Sequence, residues 1–247
     1  MRAFRADLHV HTALSPCAEP EMTPGNIVGL ALEYGLDIVA VTDHNSGENV
    51  RAVLGFAEGT GVTVWPGMEV QTREEVHLVV LAPSPEALED WQGFIYGGLP
   101  DRPNRPELFG EQQLFDKEGR VTGTVDRLLA TSVFFSVDEV RREAGRRGLV
   151  CYPAHIDRPV SSYISNLGLV PPAAEFAVIE VSKTVGVREV ERRFPSLRGR
   201  TFVVSSDAHR LEELGPARTT LYLREPTLAE FRAAIAGRGG RRVTVSR

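Results

Sequence analysis

Lysine and cysteine are both scarce: the 247 residues include two cysteines, Cys17 and Cys151, and two lysines, Lys117 and Lys183. Two cysteines so far apart make no disulfide framework, so the expectation is a protein of a reducing cytoplasm. Long apolar runs are missing too. The opening "MRAFRADLHV" has no apolar leader, and no later run approaches membrane-spanning length, so no membrane partner is expected. Nor is there an excess of positive charge. A formal net charge of −5 argues against holding nucleic acid by general attraction, and no strong duplex binding is expected. A small phosphorylated substrate or nucleotide needs only a local group of cations and stays open.

What is present is an ordinary apolar fraction, 42%, enough to bury a core without metal or disulfide staples. Short β-type runs alternate with helical patterns. "FRADLHV" reads as a strand, followed by a helix over "TPGNIVGLALEYG" with Thr23 as N-cap, Pro24 in the first turn and Gly35 at the end. "LDIVAVT", "VTVWPGMEV", "VHLVVLA", "LVCYPA", "FAVIEVS", "TFVVSS", "TTLYL" and "RRVTV" read as further strands. Helices are expected over "SGENVRAVLGFAEGTG", "SPEALEDWQGFIY", "SVDEVRREAGRRG", "GVREVERRF" and "TLAEFRAAIAG", the third carrying a capping box of Ser136 and Glu139. Residues 97–120 lose the periodicity and hold several Pro and Gly, a loop-rich insertion suited to a lid, with "FDKEGRV" turning like a hairpin. No linker divides the chain, so residues 1–247 read as a single domain. Repeated strand–helix units imply a mainly parallel sheet, better as a barrel than as an open doubly wound sheet, since no Gly-rich fingerprint follows the first strand.

Six histidines are present, and five of them follow strands. "RADL" runs into His9 and His11, "DIVAVT" into Asp43 and His44, "LVCYPA" into His155, and "TFVVSS" into Asp207 and His209, while "VTVWPGM" runs into Glu69. In a (β/α) barrel those carboxyl ends share the face where chemistry is placed. His77 instead precedes its strand. A hairpin turning at Arg73 would set it directly opposite Glu69, with both side chains on one face. His9 and His11, like Asp207 and His209, are two apart, so extended backbone points each pair the same way. A single strand-end histidine is ordinarily a hydrogen-bonded structural residue; convergence of all six argues for metal. Imidazole with carboxylate suits Zn²⁺, Mn²⁺ or Fe²⁺. Eight such residues exceed one tetrahedral site, so two or three divalent ions are expected, with Glu69 the natural bridge.

"DLHVHT", "AVTDHN", "PGMEV" with "VHLVVL", "YPAHIDRP" and "SSDAH" together resemble the ordered motifs of PHP (polymerase and histidinol phosphatase) domain phosphoesterases, over Ala6 to His209. The resemblance implies a distorted (β/α)₇ TIM-like barrel with a two- or three-metal centre. It implies that His9, His11, Glu69 and Asp207 hold one ion, that Glu69, His77 and His155 hold a second, and that His44 and His209 hold a third. Asp43 falls behind them as an orienting residue. Many such sequences have Ser-Asp-Gly after H-x-H-T, whereas this chain has Ser15, Pro16 and Cys17. Cys17 is a candidate ligand of the third ion; the alternatives are a small buried cysteine, or Glu19 or Glu21 reaching in.

The expected activity is hydrolysis of a phosphomonoester, nucleotide or oligonucleotide end by metal-activated water, with Glu69, Asp207 and His209 in catalytic roles. Arg158, just past His155, and Lys183, after "VIEV", are candidate substrate-binding cations, with Glu180 a weaker candidate beside them. Two alternatives are weighed. One is an amidohydrolase-type metal hydrolase, which would want a bridging lysine that only Lys183 could supply; the other is a non-catalytic metal-binding PHP module.

Overall fold

The computed structural model describes residues 1–246. The chain runs β1 (Arg2–Val10), α1 (Pro24–Glu33), β2 (Ile38–Val41), α2 (Val50–Ala57), β3 (Thr63–Gln71), β4 (His77–Leu81) and α3 (Pro85–Gly98). Next come α4 (Pro106–Phe109), β5 (Gln113–Phe115), β6 (Val121–Thr124), α5 (Val137–Arg146), β7 (Val150–Pro153) and α6 (Tyr163–Leu167). β8 (Val178–Ser182), α7 (Val187–Arg193), β9 (Thr201–Ser205), β10 (Thr219–Leu223), α8 (Leu228–Ile235) and β11 (Arg242–Val245) complete it.

Local chemistry sets the helix starts. The Thr23 hydroxyl accepts from the Asn26 N–H ahead of Pro24, Ser84 does the same for Ala87 ahead of Pro85, and Ser136 and Glu139 form the reciprocal capping box. The short α6, capped by Ser162, carries no periodic signature and was not expected.

A full (β/α)₇ barrel is not what forms. Seven strands make one curled, mixed sheet in the order β11-β10-β1-β2-β3-β4-β7, and β8 pairs with β9 in parallel as a separate ribbon. β4 runs antiparallel to both β3 and β7, and β10 runs antiparallel to β1. The first departure follows from a short connection: five residues join β3 to β4, too few for the crossover that parallel pairing needs. The ribbon meets the sheet at its carboxyl end, where the His11 N–H donates to the Ala208 carbonyl and the Asp207 N–H to that of His9.

One apolar cluster draws Leu8, Ala40, Trp65, Val79, Tyr152, Val178, Val203 and Leu221 from eight different strands together with Leu228, Phe231 and Ala234 of α8. The sheet and the ribbon therefore wrap a shared interior, and α8 packs into it, with the Trp65 and Phe231 rings 5.4 Å apart. The insertion folds as α4 and the β5–β6 hairpin. It docks on the loop after β1: the Gln113 N–H donates to the Ala13 carbonyl, and Asn49 bonds the backbone of Gln113 and Phe115. Gly110, at φ +92°, lies so close to the Pro16 carbonyl that no Cβ fits.

Candidate metal centre

Every strand end singled out in the sequence arrives at one place. β1 delivers His9 and His11, and the register shift between Asp7 and Val10 gives it an extra residue just there. β2 ends in Asp43 and His44, β3 carries Glu69, and the turn after β7 carries His155. The ribbon brings Glu180 from β8 and Asp207 and His209 from beyond β9. His155 at φ +27° and Asp207 at φ +50° occupy left-handed backbone unusual for such residues, which turns both side chains sharply back over the interior.

The β3–β4 hairpin departs from expectation by one residue on each strand. Gln71 pairs with His77 and Glu69 with Val79, and the Thr72 N–H bonds the Val76 carbonyl, so the turn centres on Glu74 rather than Arg73. His77 is consequently diagonal to Glu69, two positions off but on the same face, and its Nδ1 lies 2.8 Å from Glu69 Oε1.

The hydrogen bonds around the histidines fix which nitrogens face inward. His9 Nδ1 lies 3.0 Å from Glu180 Oε1, and His11 Nδ1 lies 2.8 Å from Ser15 Oγ. The Ser15 hydroxyl donates to Asp43 Oδ1 at 2.8 Å and accepts from the His44 N–H at 3.1 Å. The rest of Asp43 is taken up by the Thr12 N–H and hydroxyl, at 2.7 and 2.8 Å. Asp43 thus stands behind His11, reaching it through Ser15; this is what the Ser of "SPC" does. With both Nδ1 atoms committed outward, His9 Nε2 and His11 Nε2 face each other across 3.1 Å. Asp207 Oδ1 lies 3.3 and 3.1 Å from them, and the Glu69 oxygens 3.4 Å from each.

The His9 and His11 Nε2 atoms and Asp207 Oδ1 stand 3.1–3.3 Å apart, and Glu69 turns one oxygen to each imidazole at 3.4 Å. Ligand bonds of about 2.0–2.1 Å around one ion give edges of roughly 3.3 Å. Three groups have ligand atoms within 4.8 Å of one another: His9, His11, Glu69 and Asp207; His44, Glu69 and His77; and His11, His44 and His209. Glu69 belongs to two of them and His11 to two. His155 joins none, although its Nε2 is 3.1 Å from Glu69 Oε1, and its buried Nδ1 has no hydrogen-bond partner.

The electrostatics point the same way. Burial opposes a charge on His9, but Glu180, Asp207 and Glu69 outweigh it and raise its proton affinity well above that of ordinary histidine. Burial also opposes ionisation of Glu69, and His77, His9 and His44 overcome that and hold it well below the usual carboxylate range. Burial and the neighbouring His209 push His11 down, so it is a neutral imidazole. The cluster calls for positive charge at its centre, and the donor set accepts it from a metal ion as readily as from a proton.

Other expected residues are placed less centrally. Cys17 is exposed and joins none of the three groups; partial desolvation of its thiol is outweighed by the neighbouring His44 and His209 imidazoles, which bring its pKa down to about 6. Glu19 pairs with Arg210 at 3.1 Å rather than reaching inward. The Arg158 guanidinium lies 2.6 Å from Asp207 Oδ2, the oxygen turned away from the imidazoles. Lys183 is directed elsewhere, its Nζ donating to the Glu213 carbonyl at 2.8 Å. Glu180, weakly favoured from sequence as a substrate contact, is instead a buried partner of His9 that also accepts the His155 N–H at 3.1 Å. A lone carboxylate in the apolar run "VIEV" was the signal for it.

A curled α/β half-barrel that gathers imidazoles and carboxylates at its strand ends defines a metal-binding class of protein. The PHP domain family model matches residues 7–145, and a PHP-associated model matches residues 189–238. The chain belongs to the PHP domain family. No curated protein matches it. Among solved structures, the lesion-specific endonuclease PfuEndoQ of Pyrococcus furiosus is similar, with a TM-score of 0.69 and 17% identity over 98% of this chain and 58% of that one. Endonuclease Q in complex with a 27-mer duplex substrate with an abasic lesion at the active site gives 0.71 and 17%, with the same coverages. PsfC of Pseudomonas syringae gives 0.62 and 18% over 100% of this chain and 93% of that one. The chain thus spans 58% of the length of the endonuclease Q structures.

The endonuclease Q complex corrects the expectation that duplex nucleic acid would not be bound strongly. A protein of this fold holds a duplex. Net charge is a sum over the whole surface, whereas a duplex is held by the cations that line its track, so a formal −5 carries no such exclusion.

Proposed function

We propose that the protein is a metal-dependent phosphoesterase acting on a phosphomonoester, a nucleotide or an oligonucleotide end. The observation that carries this reading is the buried group of ligand atoms brought together by His9, His11, Glu69 and Asp207. It is supported by the two further groups that share Glu69 and His11 with it, which suit two or three divalent ions of zinc, manganese or iron.

In this reading Glu69 bridges the first group to His44 and His77, with His155 beside it. His209 and His44 complete a third position with His11, where Cys17 supplies a thiolate. When bound, such cations lower the pKa of a water to near neutrality and neutralise charge developing on phosphoryl oxygens. The chain's own groups do the rest. Glu180 and Ser15 lock His9 and His11 with Nε2 inward. Arg158 offsets the charge of Asp207 through Oδ2, leaving Oδ1 to the imidazoles, and its half-exposed guanidinium has further N–H groups to offer a phosphate oxygen. His209, at the rim with its side chain 21% exposed, serves in this reading as proton donor to the leaving oxygen only while it holds no ion at the third position. The amidohydrolase alternative loses its bridging lysine, because Lys183 is engaged by Glu213. Residues 97–120, docked beside Cys17, act as the lid over the substrate.

Hydrolysis of p-nitrophenyl phosphate with added Mn²⁺ tests the proposal, with metal content measured in parallel. Turnover is expected in the wild type and a loss of at least a hundredfold in His9→Ala and Asp207→Ala. Turnover that survives both substitutions would falsify the assignment.

A further inference from the structure

A cavity of about 700 Å³ lies away from the metal centre, between α7 and the β9 and β11 strands. Its volume is in the range of sites that take small organic ligands. Val185, Val187, Val204 and Val245 are among its lining, together with Lys183 after β8, Arg188 on α7 and Arg218 just before β10. Among the described residues none of these three cations has a carboxylate partner. Lys183 donates one hydrogen bond, to the Glu213 carbonyl, which leaves two of its three N–H donors free. Two carboxylates also line the cavity. Glu189 is already held by Arg192 and Arg193 at 2.7 Å, so Glu191 alone stands against the three cations.

Arg188 and Arg218 are exposed and Lys183 is half-buried, so all three have N–H donors to offer an anion that enters the cavity. The four valines in the same lining give an apolar body a surface to cover. The geometry points to a second binding site, for a small organic anion with an aryl or alkyl body and a phosphate, phosphonate or carboxylate head. Arg188 and Arg218 grip the head with paired N–H donors, Lys183 adds a point charge, and the valines cover the body. The site also gives a role to Lys183, which the metal centre does not use. It is independent of the proposed hydrolysis: either can fail alone.

Methyl NMR of the protein as purified, titrated with phenylphosphonate, reads the cavity directly through its valines. Saturable shifts at Val185, Val204 and Val245 are expected in the millimolar range or below. Benzoate should reproduce them with a carboxylate head, and the neutral benzyl alcohol should not. The double variant Arg188→Ala/Arg218→Ala should weaken binding at least tenfold while leaving p-nitrophenyl phosphate hydrolysis and the melting temperature unchanged. Equal response to benzyl alcohol, undiminished binding in the double variant, or no shift with either anion would each overturn the proposal.

Discussion

At the scale of single residues, the centre depends on side chains that touch no ion themselves. Ser15 is the clearest of them, since one hydroxyl donates to Asp43 while taking bonds from His11 and from the His44 backbone. Removing it leaves His11 free to flip or to change tautomer, and leaves a buried carboxylate short of a donor. Ser15→Ala is therefore expected to weaken metal binding by roughly 10–100-fold with the fold retained, a typical cost of losing a partner behind a ligand. Titration of the metal-depleted variant with Mn²⁺ or Zn²⁺, beside circular dichroism, checks it; unchanged affinity would remove Ser15 from this role. The residues that converge on the centre were legible in the sequence because metal-binding types recurred where apolar strand runs stopped. Their supports were less legible. Nothing local in "SPC" announces that its serine spans the gap between two strands, and Arg158 meets Asp207 across 49 residues that only the folded ring brings together.

At the scale of elements, what could be read was whatever is encoded locally. Caps, capping box and strand alternation predicted α1, α3, α5 and most strands. Pairing partners were harder, because a register depends on where a turn closes. One residue at the Thr72–Val76 turn moved His77 from opposite Glu69 to diagonal from it. The separation of β8 and β9 into their own ribbon has no signature within either strand. An ion pair near the chain's end ties another element in place: Arg241 donates to both oxygens of Glu230 on α8, at 2.7 and 2.6 Å, and the Arg224 N–H adds a third bond. These bonds, Arg241's first, bring the Glu230 pKa down to about 2. A depressed carboxylate stabilises the fold above its unfolded pKa of about 4.5 and ceases to do so as pH falls through its folded value. Glu230→Gln should thus melt below the wild type at neutral pH, and the gap should close as pH drops from about 5 towards 2. A gap independent of pH would show that the charge is not what holds α8.

At the scale of the whole molecule, acceptors from five strands and the turns after them surround one point, so filling that point should stabilise the entire fold. Free ion at about 100 times its Kd adds roughly 2.7 kcal/mol. For a chain of this size that corresponds to a rise in Tm of roughly 5–11 °C. Calorimetry of chelator-treated protein before and after Mn²⁺, Zn²⁺ or Fe²⁺ measures it, and a Tm indifferent to all three would speak against convergence on a cation. The rise should shrink below about pH 6, where protons compete for the imidazoles.

The helix α8 packs Leu228, Phe231 and Ala234 into the interior shared by the sheet and the ribbon. The least buried of the imidazoles, His77 and His209, mark the side from which an ion can reach the centre. A substrate of the proposed hydrolysis that binds on that same side before the ions would obstruct their loading. Turnover begun by adding metal last should start with a lag that lengthens with substrate concentration.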